Sequence, residues 1–247
     1  FCYFPLAFSG KMCDNSTKHT SENGDGMEKE ELLQRVFGYS SFRSGQEKLI
    51  DGVLSGQDVF GIMPTGGGKS MCYQLPALML AGITLVISPL ISLMRDQVMA
   101  LKAAGVPAAF LNSTLTGAQM QAAYRNLLAG RYKIVYVAPE RLDYPGFGAV
   151  VEKLNISFVA VDEAHCISQW GQDFRPSYLK ILDFVASLPR RPILSAFTAT
   201  ATEAVRDDIC CTLRLHDPKV LVTGFDRPNL YYGVMRPRNK DSALLEL

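Results

Sequence analysis

Two short stretches hold the residue types that handle a nucleoside triphosphate. The first is Met63-Pro-Thr-Gly-Gly-Gly-Lys-Ser70. An apolar run, Val59 to Met63, leads into it, and a helix-compatible segment comes after it. Strand, glycine loop and helix in this order make a phosphate-binding loop. Thr65, Gly66, Gly67 and Gly68 let the backbone curl so that its N–H groups converge on phosphate oxygens. Lys69 supplies a positive charge for the terminal phosphates, and Ser70 offers a hydroxyl to Mg²⁺. The strict pattern asks for glycine five residues before Gly68, where this chain has Met63. The second stretch is Asp162-Glu163-Ala164-His165, directly after the apolar run Phe158–Val161. A carboxylate at a strand end suits Mg²⁺, which assigns Asp162 to the metal. Glu163 beside it is placed to polarise the attacking water. Lys69, Asp162 and Glu163 are therefore the candidate catalytic set.

The elements that must position these groups form a simple alternation. Strands are expected at 59–63, 84–88, 108–111, 133–137, 158–161, 193–198 and 220–223, mostly continuous apolar runs of the kind covered on both faces. Helices are expected at 69–80, 91–104, 117–129, 177–188 and 201–213, with Pro76 kinking the first. The segment 28–37 is amphipathic. This alternation predicts an α/β fold: a mostly parallel sheet with helices on both faces and ligands at the carboxyl ends of the strands.

Composition narrows the partners. The 247 residues are 48% apolar, enough for a substantial core, and the net charge is +1. Any nucleic-acid contact must therefore rest on local placement of Arg and Lys. The six cysteines form no C-x-x-C pair, a pattern of free thiols in a reducing compartment. No apolar run reaches the length of a membrane span, so no membrane partner is expected. Residues 1–26 differ from the rest of the chain: an apolar aromatic start, then a polar stretch. They read as a disordered leader with Met27 as the natural start, the alternative being a functional extension.

Further motifs carry a family resemblance. The DEAH tetrad after the phosphate loop resembles the second motif of superfamily 2 helicases. Leu33 to Gln46, with Phe37-Gly38-Tyr39 and Phe42-Arg43, resembles the adenine-recognition motif of RecQ helicases. In that family the residues matching Tyr39, Arg43 and Gln46 stack on and hydrogen-bond the adenine, as a ring face and an amide can. Ser88-Pro-Leu-Ile-Ser-Leu-Met-Arg95-Asp96-Gln97 resembles the helicase motif that lies along the DNA strand, with backbone N–H groups and hydroxyls at a helix start suited to phosphate. Ala138 to Leu142 resembles another such element. Ser195 to Thr202, including Thr198 and Thr200, resembles the motif linking ATP state to strand movement; a strand end with a threonine N-cap is the plainer alternative.

Ile167 to Tyr178 resembles the aromatic-rich loop with which RecQ helicases sense single-stranded DNA. Trp170 is the only tryptophan, Phe174 and Arg175 come next, and such a ring in a polar loop is a base-stacking platform. Gln172 stands where family members usually have His and cannot become cationic. Phe225 to Leu230 resembles the family's entry into a second RecA-like domain.

The resemblance implies a RecA-like P-loop domain at 27–217, followed by a linker and the start of a second such domain at 218–247. It implies an ATP-dependent 3′-to-5′ DNA helicase that uses ATP and Mg²⁺ and acts on single-stranded and partly duplex DNA in repair and recombination. The second motor domain and accessory domains would be its partners. It would sit in the nucleoid-associated cytoplasm of a bacterium or the nucleus of a eukaryote. Two other readings stay open: a DEAH-type RNA helicase, and a nucleotide-gated DNA-binding module without turnover.

Overall fold

The computed structural model describes residues 28–171, 173–224 and 233–234. Seven strands form one sheet: β1 Val59–Ile62, β2 Ile83–Ile87, β3 Ala108–Leu111, β4 Ile134–Val137, β5 Ile156–Val161, β6 Ile193–Thr198 and β7 Lys219–Val222. Their order is β3-β4-β2-β5-β6-β1-β7, and every pairing is parallel. The α/β expectation holds. Parallel strands require crossovers, and the helices that make them cover both faces.

Strand alternation divides the core into two layers. Phe60, Ile62, Leu85 and Ile87 point to one face. There they meet α5 Gly117–Leu128, α6 Pro145–Val151, α7 Lys180–Ser187 and α8 Glu203–Thr212. Val59 and Val86 point to the other face. That layer packs on α2 Gln46–Leu54, α3 Met71–Met79 and α4 Ile91–Ala103. A third small cluster joins Leu32 and Leu33 to Ile50, Met71 and Leu75. It holds α1 Lys29–Leu32, and the wider π-helical turn Leu33–Phe37 that continues it, against α2 and α3.

Several details depart from the sequence reading. α2 and α6 were not among the helices expected. The span 177–188 begins as a 3₁₀ turn, Pro176–Leu179, before α7. Its first position is proline, whose missing N–H is tolerated at a helix start. α3 runs through Pro76 to Met79. β7 lies beyond the boundary drawn at 217, yet it is hydrogen-bonded to β1 in register Val59↔Lys219 through Ile62↔Val222. The sheet thus includes strands on both sides of that boundary. The leader (1–26), Gln172 and the stretch 225–230 lie outside the described residues.

Candidate nucleotide site and strand face

The phosphate loop comes directly after β1, and the DEAH tetrad directly after β5. β6 lies between them in the sheet, so its last residue, Thr198, falls at the centre of the site. The Met63 N–H donates to the Thr198 carbonyl at 3.0 Å. His165 Nδ1 lies 2.9 Å from Thr198 Oγ1 and 3.3 Å from Glu163 Oε2. The two motifs, about ninety residues apart in sequence, are thereby tied to one strand end.

Met63 shows why the first glycine of the strict pattern can be absent. Its side chain is buried in the α2–α3–α4 layer, and its φ is not among the positive ones. Its carbonyl accepts from Lys69 Nζ at 3.3 Å, which holds the lysine back over the loop. Gly68 does need to be glycine. Its φ is +84°, and a Cβ there would stand 2.3 Å from Gln46 Nε2.

Lys69, Ser70, Asp162 and Glu163 line one cleft of about 570 Å³, together with Thr65, Gly66 and Gly68. Tyr39, Arg43 and Gln46 line it as well. Tyr39 is 53% exposed, with its ring available to a base. Arg43 Nη1 donates to the Gly66 carbonyl. Gln46 Oε1 accepts from the Arg43 N–H at 2.7 Å, and its Nε2 donates to the Gly68 carbonyl at 3.0 Å. A primary amide has two donors and two acceptor lone pairs. Gln46 therefore keeps one of each for a base edge while it is fastened to the phosphate loop.

The charges set the chemistry. Asp162 is buried, and burial, with Glu163 beside it, pushes its pKa up to about 6 against the pull of Lys69. A hydrogen bond from His165 holds the Glu163 carboxyl below its ordinary range, with burial opposing. Side-chain contacts with Cys166 and Glu163 push His165 up to about 10, with burial opposing. Glu163 has φ +49° and ψ +47°, left-handed backbone that disfavours a non-glycine residue. Such strain is found at functional sites held by their surroundings. The Tyr178 hydroxyl donates to the Asp162 carbonyl at 3.0 Å and helps fix this turn.

A cation fits here. The Asp162 carboxylate has little access to water and has Glu163 beside it, and the divalent ion implied by the motifs would relieve the cost of its charge. Asp162 and Ser70 are the residues that would hold it.

The expected strand-contacting residues lie at the carboxyl ends of neighbouring strands. Arg95 on α4 and Thr200 after β6 are exposed. Ser88 and Thr198 are fully buried. The Ser88 hydroxyl has no hydrogen-bond partner, and Thr198 is engaged by His165, so neither offers a surface to a strand. Trp170 is 80% exposed, and Phe174 and Arg175 are half-buried. Arg175 pairs with Asp173 at 2.8 Å and reaches the Pro89 carbonyl at 3.4 Å. It thus touches both the aromatic loop and the segment that opens α4. Gly171 beside Trp170 cannot carry a side chain, since a Cβ would lie 2.5 Å from the His165 carbonyl.

The sequence reading assigns His165 no role of its own, although it stands in the tetrad. It also passes over Gln74, and it places Gln97 only as the end of the strand-contacting motif. The signal for Gln74 is present: an amide inside the otherwise apolar helix Met71–Met79.

The family model for DEAD/DEAH box helicases matches residues 43–208, which contain both halves of this cleft. The chain belongs to the DEAD/DEAH box helicase family. It is 49% identical over 216 residues to the ATP-dependent DNA helicase RecQ of Bacillus subtilis, covering 87% of this chain and 36% of that protein. It is 50% identical over 205 residues to the RecQ helicase of Pasteurella multocida, covering 83% and 32%. The chain spans about a third of the length of these curated relatives. Among solved structures, the helicase MrfA bound to DNA matches with a TM-score of 0.64 at 16% identity, over 83% of this chain and 30% of that one. A hypothetical ATP-dependent RNA helicase from Sulfolobus tokodaii matches with a TM-score of 0.59 at 24% identity, over 78% and 56%. These two likenesses carry the fold alone. Among the described residues no helix is long and apolar enough to cross a membrane.

Proposed function

We propose that this chain is the first motor domain of a RecQ-type DNA helicase, which binds Mg-ATP and couples its hydrolysis to 3′-to-5′ movement on single-stranded DNA. The observation that carries the reading is the shared cleft: Lys69, Ser70, Asp162 and Glu163 line it together with Tyr39, Arg43 and Gln46. Phosphate, metal and base would thus be met at one place. The similarity to RecQ helicases, each named an ATP-dependent DNA helicase, supports DNA as the strand.

In this reading Tyr39 stacks on the adenine, Gln46 reads its edge and Arg43 braces the loop. Lys69 leaves the Met63 carbonyl for the terminal phosphates. Asp162 and Ser70 hold Mg²⁺, which when bound neutralises charge on the phosphate oxygens. Glu163 stays ionised and orients the attacking water. A carboxylate with a lowered pKa is a weak base, so early proton removal is a minor part of its work. His165 fixes Glu163 and connects it to Thr198. Arg95, Trp170, Phe174, Arg175 and Thr200 form the strand face, while Ser88 and Thr198 act from inside the fold. The motor domain proper, drawn at 27–217 from the sequence, would run on through β7, and 225–230 would lead into a second RecA-like domain. That domain would supply an arginine to the developing charge, a contribution of several orders of magnitude in rate. Action on partly duplex DNA, accessory domains, a role in repair and recombination, and a nucleoid or nuclear location belong to the same reading.

Calorimetry and ATPase assays test it. This chain takes up Mg-ATP but turns it over near baseline. Lys69→Ala lowers nucleotide affinity at least about tenfold. In the longer protein that carries this chain, single-stranded DNA stimulates turnover more than RNA of equal length does. Glu163→Gln there abolishes turnover and keeps binding. Absence of nucleotide uptake, or stronger stimulation by RNA, would overturn the proposal.

A further inference from the structure

The sheet face that carries α3 and α4 holds a set of polar groups to which the proposed nucleotide chemistry assigns no role, and two of them, Gln74 and Gln97, stand in the wall of the same cleft. Gln74, on α3, is buried, and its Nε2 donates to the Tyr136 hydroxyl and to Gln97 Oε1, both at 2.8 Å. Tyr136 lies in β4, and Gln97 lies on α4. Tyr136 is 1% exposed. These bonds join α4, an α3 side chain and a strand tyrosine. The Gln74 N–H donates to the Ser70 carbonyl at 2.9 Å, so Gln74 and Ser70 also share one helical turn.

Gln74 and Tyr136 are buried and Gln97 is half-buried. Polar side chains in such places are costly where apolar ones would pack, unless each is satisfied. When satisfied, they fix one arrangement and resist intermediate ones. α4 has two sides that bear on this. Arg95 and Gln97 are two residues apart, about 200° around a helix, so they project to opposite sides. Arg95 is exposed, while Gln97 points inward to Gln74. A shift of α4 that accommodates a strand at Arg95 therefore acts directly on Gln97.

We infer that Gln97, Gln74 and Tyr136 are positioning residues that couple strand binding on α4 to the placement of Ser70 in the nucleotide site, which Gln74 adjoins through its helical turn. This inference rests on the proposed function, because it needs both a nucleotide and a strand. The relay deepens that reading by naming the packed route between the two sites. It is separate from the His165–Thr198 contact, which ties the DEAH turn to β6.

Spatial intermediacy alone does not establish coupling, so the test reads the coupling itself. The affinity of the wild-type chain for a fluorescent Mg-ADP analogue is measured with and without saturating oligothymidylate. Coupling between ligands is reciprocal and commonly about fivefold or more. The ratio of the two affinities is expected to be at least about fivefold in the wild type and to fall below about twofold in Gln97→Leu and Tyr136→Phe. Gln97→Glu keeps an acceptor oxygen for Gln74 and is expected to keep most of the ratio. Thermal melting of each variant confirms that it is folded. A role confined to packing would lower melting temperature or affinity and leave the ratio intact; that result overturns the inference. So does a wild-type ratio of one, or equal loss in Gln97→Glu and Gln97→Leu. Failure of the proposed function is a different outcome: no binding of the nucleotide analogue at all.

Discussion

At the scale of single residues, the site holds its charges at a cost in stability. Asp162 is buried beside Glu163, and its pKa stands at about 6 in place of 3.8. The folded state therefore binds its proton more tightly than the unfolded chain does. The stability this contributes is full below the unfolded value and is lost as pH rises through about 6. At neutral pH the ionised Asp162 weighs against folding by about 2–3 kcal/mol, roughly two pK units at 1.36 kcal/mol each. Asp162→Asn keeps the shape and removes the charge. Urea unfolding of the nucleotide-free chain at pH 7.5 is expected to show the variant more stable by an amount of that order, with the gain vanishing near pH 4. The same substitution should abolish stabilisation by Mg-nucleotide. A variant less stable than wild type at neutral pH would mean that the carboxylate is already compensated within the free protein.

At the scale of elements, the two ends of the sheet divide the work. The carboxyl ends carry the cleft, and the amino ends carry a cross-tie centred on Asp58, just before β1. Its carboxylate accepts from Arg191 Nη1 at 3.1 Å and Nη2 at 2.5 Å, from the Leu194 N–H at 2.9 Å and from the His216 N–H at 2.7 Å. One side chain thus fastens β1 to β6 and to the turn before β7. Asp58→Ala strands a buried N–H and half of an ion pair. Arg191 is partly exposed, which lowers the cost below that of a fully buried pair. A loss of about 2–4 kcal/mol is expected in denaturant unfolding, with nucleotide affinity of the folded variant unchanged. A loss under about 0.5 kcal/mol would show that water replaces these bonds.

The elements also show what sequence could and could not tell. Six of the strands were legible because both faces are covered, while β7, at the sheet edge, alternates half-buried and exposed; the expected spans place all but β5 within one residue at either end. Met63 and Gly68 were legible as loop chemistry, but only packing shows why one tolerates a side chain and the other does not. α6 was missed because Gly146 and Gly148 break its pattern within seven residues. α2 was missed because it opens on Gly45 in the left-handed region, with no side-chain cap to announce it. The burial of Ser88 was hidden because a serine at a strand end reads as a surface hydroxyl. The Gln74–Tyr136 bond joins residues 62 apart and has no local signature.

At the scale of the whole molecule, charge decides how a strand can be held. The net charge is +1, so no broad basic field draws nucleic acid to the surface. Recognition must rest on a few cations and on stacking. Arg95 is exposed on the candidate face. Arg175 is half-buried and pairs with Asp173, so part of its charge is already answered. Trp170, at 80% exposure, offers a stacking surface whose contribution does not depend on salt in the way a phosphate contact does. Binding of single-stranded DNA by this chain should therefore depend weakly on ionic strength. For single strands the slope of log affinity against log salt is about −0.7 per phosphate neutralised. Two or three such contacts give a slope between about −1.4 and −2.1. Fluorescence anisotropy with an oligothymidylate over a salt series measures it. Arg95→Gln should make the slope shallower by about 0.7, while Trp170→Ala should lower affinity at every salt concentration and leave the slope in place. A wild-type slope steeper than about −4 would instead require a basic track that the near-neutral surface does not supply.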